Sequence, residues 1–279
     1  MRRLVSPRWT AACLLVTTIA TADAAPPTQP LRAAEGVYVG GAPTDATAWD
    51  ALVARGVKTV VGVEGIPPSP PSGSSEGLRL VHIPIGYGAI DKAASDRLTR
   101  VAREAQRPLY IYCHHGQHRG PAAAAIVCLA ANLLDKEGAL DLLRRAQTDR
   151  KYAGLWRDVA AYRAPPADAV LPELTPASPS SPLSLAMCQL DRAWEATLKS
   201  DTREDRHTAM VLVVESLKES RRAVEATGAR PGLLADLQEA LDQAREIEHA
   251  ATGLDPEELD QRFGPQCLRC HATHRDTTD

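Results

Sequence analysis

The chain has 279 residues, 44% hydrophobic and 24% charged, with a formal net charge of −3. That balance excludes wholesale disorder and a fibrous chain. No block of five like charges occurs, so no polyanion-binding tail and no nucleic-acid partner is expected. Six cysteines are too few for a disulfide scaffold in a chain this long, and a single phenylalanine among abundant Ala and Leu favours a helix-rich core.

Residues Met1 to Arg8 carry three arginines, an apolar run follows from Trp9 to Ala20, and Thr21-Ala22-Asp23-Ala24-Ala25 offers an A-x-A-like cleavage site. This order reads as a signal peptide over residues 1–24, and the run is too short to span a bilayer. The expectation is an exported, periplasmic protein with no membrane span in the mature chain. An uncleaved N-terminal anchor is the alternative.

Residues 25–163 alternate strand and helix patterns. Gly36 to Gly40, Val57 to Val63, Leu78 to Ile85 and Pro108 to Tyr112 read as strands, the middle two as buried β-branched runs. Thr44 to Arg55, Asp91 to Gln106, Pro121 to Leu134, Lys136 to Ala146 and Leu155 to Tyr162 read as helices, the third opened by a proline in its first turn. Such alternation predicts an α/β domain with a mostly parallel sheet.

Between the last of these strands and the Pro121 helix stands Tyr112-Cys113-His114-His115-Gly116-Gln117-His118-Arg119-Gly120. A Cys-x5-Arg loop in this setting points backbone N–H groups at an anion near a helix N-terminus. Arg119 supplies a planar fork for two phosphate oxygens. The positive field favours the thiolate of Cys113, a nucleophile for phosphorus, and Gly116 permits the tight turn. The residues from Cys113 to Arg119, with His114, His115, Gln117 and His118 between them, are the candidate phosphate-binding loop. An ordinary buried cysteine is the bland alternative. The three histidines keep the loop polar and open a cationic state; metal binding is disfavoured because adjacent His114 and His115 should diverge. Cys128, on the following Ala-rich helix, reads as core.

On these residues the segment from Gly36 to Tyr162 resembles the cysteine-dependent protein tyrosine and dual-specificity phosphatases. The resemblance implies hydrolysis of phosphate monoesters with Cys113 as nucleophile and Arg119 as clamp. It also implies an Asp general acid on another loop, a place that Asp91 can take if it is not simply the N-cap of the next helix. His82 is an alternative acid, although its strand position suits packing. Tyr112 replaces the usual His before the cysteine, and Gly120 replaces the usual Ser or Thr after the arginine.

Residues 164–182 contain six prolines and no apolar period, which reads as an extended linker compatible with contact or independence of its neighbours. From 183 to 279 the period is helical. Leu183, Met187, Leu190, Trp194 and Leu198 form one stripe, Met210, Val214 and Leu217 a second, and Leu233 to Ile247 a third. Asp255-Pro256-Glu257-Glu258 opens a fourth helix with an N-cap, a first-turn proline and acids at the positive dipole end. The expected fold is an all-α four-helix bundle.

The last helix carries Cys267-Leu268-Arg269-Cys270-His271. Cys-x-x-Cys-His in an exported chain is the attachment site of one covalent haem c: Cys267, Cys270 and His271 fall at i, i+3 and i+4 on one helix face, with His271 as axial ligand. A zinc half-site lacks a second cysteine pair, and a thioredoxin-type redox pair lacks its βαβ setting. Phe263 and Leu259 extend the face as an apolar wall. The segment resembles the cytochrome c′ and c-556 group. That resemblance implies Met187 as a second axial ligand, against its bland role in a core stripe, and Arg275 as a propionate or proximal partner, with His274 departing from the pattern. Cys188 should point elsewhere; His207 and His249 read as solvated. The combined expectation is a phosphatase-like enzyme joined to a haem domain for redox sensing or electron transfer, acting on a phosphate ester and serving a redox partner protein. The alternative is a non-catalytic phosphate module on an electron-transfer or gas-binding cytochrome.

Overall fold

The computed structural model describes residues 30–228, 230–250 and 253–275. The signal peptide read over 1–24 lies outside them. No described helix is long and apolar enough to cross a membrane.

Five strands form one mixed sheet, β1 (Leu31–Ala34), β2 (Val37–Gly40), β3 (Thr59–Gly62), β4 (Arg79–His82) and β5 (Leu109–Tyr112), in the order β1-β2-β5-β3-β4. The β2–β5, β5–β3 and β3–β4 pairs are parallel, and β1 is antiparallel to β2 at the edge. Strands β3 and β5 are buried throughout, as parallel strands covered on both faces require. The edge strand β1 has no counterpart in the sequence reading: four residues in the sequence LRAA carry too little alternation to mark a strand.

Helices α1 (Ala46–Ala54), α2 (Lys92–Glu104), α3 (Arg119–Ala130), α4 (Lys136–Arg145) and α5 (Ala153–Ala161) cover the sheet. Asp45, Asp91 and Asp135 cap α1, α2 and α4 by accepting a backbone N–H three residues on, each at 2.8 Å. Helix α3 begins at Arg119, two residues before the expected proline, and is buried on nearly every side from Arg119 to Cys128. Its small alanines let it lie close on the sheet, so it needs no amphipathic stripe. The parallel strands end at Gly40, Tyr112, Gly62 and His82, and the loops beyond these ends gather at one edge, where open α/β sheets place their sites.

Helices α6 (Pro182–Lys199), α7 (Arg203–Thr227), α8 (Pro231–Ala250) and α9 (Pro256–His274) pack around a second core containing Met210, Leu217, Leu237, Leu241 and Phe263. Asp255 and Glu258 form a reciprocal capping box at the start of α9.

The proline-rich segment is fastened along the sheet unit. His82 N donates to Thr175 O at 2.8 Å, Ser178 N donates to His82 Nδ1 at 3.0 Å, and Ser178 Oγ donates to His82 O at 2.7 Å. Arg103 donates to the carbonyls of Pro165, Pro166 and Ala167, and Arg100 to that of Leu171. The segment is therefore extended yet tethered, because its carbonyls and serines find partners where its prolines offer no N–H of their own.

Candidate functional site

Cys113 follows the last residue of β5 and is buried. The loop beyond it is shaped by hydrogen bonds to its carbonyls. His114 O accepts from Ala42 N at 3.0 Å and Gln117 O from Thr148 Oγ1 at 2.6 Å. In trans peptides these contacts turn the N–H groups of His115 and His118 the opposite way, as an anion cradle needs. Gly116 has φ +73°, and a Cβ there would stand 2.6 Å from Gly40 O and Gly41 N. Glycine is thus required by conformation and by close approach together.

Arg119 opens α3 with 5% of its surface exposed. Its guanidinium lies 4.4 Å from the centroid of Tyr87, and its Nε has no hydrogen-bond partner among the described residues. A buried, unsatisfied guanidinium N–H beside a loop of this shape suits an oxyanion. Gly120 packs beneath the thiol: a Cβ there would lie 3.2 Å from Cys113 N and 3.5 Å from Cys113 Sγ. Asp91, the one carboxylate between Ile85 and α2, caps α2 through Ala94 N at 2.8 Å. His82 is fully buried and bonded to Glu64 O at 2.9 Å, so it serves packing. Cys128 is buried in the core, as expected.

The histidines differ in charge tendency. Burial pushes His118 down to about 4, and burial together with neighbouring His114 lowers His115. For His114 burial opposes charge, but a hydrogen bond donated to Glu195 and the charges of Asp191, Glu195 and Glu64 outweigh it and raise the pKa. The uniformly cationic loop admitted by the sequence is therefore replaced by one charge-prone histidine and two neutral-leaning ones.

His114 and His115 do not diverge. Their ring centroids lie 4.4 Å apart, and both rings turn to Asp191 and Glu195 on α6. Backbone curvature at the loop overrides the alternation assumed for adjacent residues. Behind them Glu64, fully buried, accepts from Arg192 Nη2 at 2.6 Å. Asp191, Arg192, Glu195 and Glu64 were absent from the sequence reading. The visible signal was only an acid directly after a β-branched run and a charged face on the first helix beyond the linker.

A cavity of about 370 Å³ lies between the two units. From α9 it is lined by Cys267, Cys270 and His271; from α6 by Met187, Leu190 and Trp194; from the sheet unit by Tyr87 and Arg119. Its size falls within the roughly 300–1,000 Å³ usual for cofactor sites. Cys267 and Cys270 are free thiols, and burial raises the pKa of both. The lining is mostly apolar, with Trp194 against Phe263 at 5.1 Å between ring centroids. These residues fit a covalently held haem. Cys188 lines the same cavity instead of pointing elsewhere. Arg275 donates to Tyr152 Oη at 2.8 Å and lies 4.8 Å over the Tyr87 ring, so it touches the sheet unit. His274 bonds to Asp236 at 2.7 Å.

No protein-family model matches the chain, and no curated protein does. Among solved structures it is similar to the core catalytic domain of the PP-IP phosphatase SIW14 from S. cerevisiae, at 18% identity and TM-score 0.40, over 50% of this chain and 87% of that one. Human DUSP28 matches at 17% identity and TM-score 0.38, over 48% and 94% of the two chains. P. aeruginosa TpbA in complex with pTyr matches at 22% and 0.35, over 48% and 81%. Similarity of this degree is no basis for assigning a reaction.

Proposed function

We propose that this protein is a cysteine-dependent phosphatase of phosphate monoesters, joined to a four-helix-bundle unit that carries one covalent haem c, and that it works after export to the periplasm. One observation supports the pairing above all: Arg119 of the Cys-x5-Arg loop and the Cys267, Cys270 and His271 trio line the same cavity.

In the proposed reaction, the loop amides and Arg119 hold the non-bridging oxygens of the ester phosphate. Cys113 Sγ attacks phosphorus; the S–P bond forms while the P–O bond to the alcohol or phenol breaks. Asp91 gives its proton to the departing oxygen. Water then attacks phosphorus, returns a proton to Asp91, and releases phosphate and the Cys113 thiolate. Using Asp91 as the acid costs α2 its cap whenever the carboxyl turns to substrate. Tyr87, pushed up to about 12 by burial, stays a neutral phenol and positions the Arg119 plane through their stacking.

Cys267 and Cys270 would hold the haem by thioethers, and His271 and Met187 would serve as its iron ligands. Bound there, haem supplies one-electron chemistry or a gas-sensitive centre beside the phosphate loop. Arg275, which bridges to Tyr152, and Tyr87, which touches both arginines, are the residues through which a change at the cavity reaches Arg119. A second reading, anion binding without turnover, is favoured by Gly120 and by the engagement of Asp91 in the α2 cap.

The test is phosphate-ester hydrolysis by the haem-loaded protein and by Cys113→Ser, with haem oxidised and then reduced. Turnover lost in the variant supports the enzyme, and a difference between haem states supports coupling. Absence of turnover with retained vanadate binding favours the second reading.

A further inference from the structure

The seam between the phosphate loop and α6 gathers two imidazoles and a carboxylate at a spacing that suits a metal site. His114 Nε2 lies 3.0 Å from Glu195 Oε1 and 3.4 Å from Asp191 Oδ2. His115 lies 3.6 Å from Glu195 Oε1 through Nδ1 and 3.9 Å from Asp191 Oδ2 through Nε2. Four ligands at roughly 2.0–2.2 Å from a tetrahedral zinc stand about 3.3–3.6 Å from one another, the middle of this range. Donor atoms of His114, His115 and Asp191 all fall within 4.8 Å of one another. Asp191 and Glu195 are four apart on α6, so both carboxylates leave the same helix face.

A second, independent feature lies behind these side chains. His114 has 6% of its side chain exposed, and its other ring nitrogen, Nδ1, has no hydrogen-bond partner among the described residues. That nitrogen faces Glu64 Oε2 at 3.7 Å, itself buried and without such a partner, while Glu64 Oε1 is held by Arg192 at 2.6 Å. A carboxylate behind a histidine is the usual support for an imidazole metal ligand, because it orients the ring and strengthens its donor nitrogen. Glu195 is arranged likewise, with Oε2 engaged by Lys199 at 2.8 Å and Oε1 turned to the histidines.

We propose that His114, His115 and Asp191 form a binding site for one divalent transition-metal ion of the zinc class, with Glu195 beside it, closing the seam between the phosphate loop and α6. Two neutral imidazoles and one carboxylate suit zinc over the hard, all-oxygen cations. The site clamps residues directly after Cys113 to the helix that also lines the cavity. The site draws on the side chains of His114 and His115, whereas the phosphate reading draws on the backbone amides of their loop, and Asp191 also borders the cavity.

The experiment titrates Zn2+ into chelator-treated, haem-loaded full-length protein by calorimetry, with zinc-edge X-ray absorption on the loaded sample. One equivalent should bind, with nitrogen and oxygen at about 2.0–2.2 Å and no sulfur shell. Affinity should fall at least tenfold in both His115→Ala and Asp191→Asn, the loss usual for a removed metal contact. Both side chains are nearly half exposed, at 43% and 49%, so neither change should disturb the core. His274→Ala, which breaks the other clustered donor set of Asp236, Cys270 and His274, should leave binding intact. No uptake by the parent protein, uptake that survives in either seam variant, a sulfur shell, or loss in His274→Ala overturns the proposal.

Discussion

Arg192 on α6 donates to the fully buried carboxylate of Glu64, 128 residues earlier in the chain, at 2.6 Å. The pair joins the helical unit to the sheet unit behind the Cys113 to Arg119 loop. Removing one member of a buried pair costs more than the pair contributes, because the remaining charge is left desolvated. Arg192→Ala should therefore destabilise the protein by about 3 kcal/mol, the low end of the usual range because Arg192 is 40% exposed. Urea unfolding checks the loss, and faster proteolytic cutting between residues 164 and 182 should accompany it.

Gly116→Ala should be worse than its size suggests. The new methyl meets Gly40 and Gly41 while the backbone holds φ +73°. Left-handed strain of about 1–2 kcal/mol adds to overpacking of about 1–3 kcal/mol. A loss near 3 kcal/mol in denaturant unfolding is expected, with vanadate affinity falling alongside. Unchanged stability would mean that the loop does not pack against the end of β2.

Gly120→Ser restores a hydroxyl within reach of the thiol, since the added Cβ falls 3.5 Å from Cys113 Sγ. If departure of the thiolate limits turnover, kcat should rise about tenfold, below the 10²–10⁴ of a full general acid. Rapid-quench measurement of the burst should show less accumulated phosphoenzyme. A lower kcat with an unchanged burst would argue against that slow step.

Acid should destabilise the fold before carboxylates titrate. Burial pushes His118 down to about 4 and also lowers His82, which is bonded to Glu64 O and Ser178 N. In the unfolded chain both take protons near pH 6.5, so between about pH 6.5 and 4 the unfolded state binds more protons. Stability must fall as pH falls through that window. Urea midpoints at pH 7.5 and 5 measure it, and His118→Gln should remove part of the slope.

Met187 lines the same cavity as the α9 cysteines. Met187→Ala should leave covalent haem attachment unchanged by the pyridine haemochrome assay but alter the visible spectrum of the reduced protein. An unchanged spectrum would return Met187 to its core-packing role.

Much of the site was legible locally. Cys-x5-Arg between a strand and a helix, Gly116 at the turn, and Cys267, Cys270 and His271 at i, i+3 and i+4 are patterns that neighbouring residues impose on one another. The Asp caps of α2 and α9 were equally readable, since a cap is settled within three residues. The edge strand β1 was not, because four residues with one polar side chain take their conformation from pairing with β2.

Sequence alone thus determined the candidate groups, their local frames and the change from alternating to helical architecture after the prolines. Tertiary structure decided what those groups face. His114 meets Glu195 across 81 residues, Ser178 closes on His82 across 96, and Arg119 shares a cavity with Cys267. Such pairings follow from how two apolar cores settle against each other, which fixes which face of α6 meets the loop. No periodicity within either segment carries that information, because contact across the seam is a property of both surfaces at once.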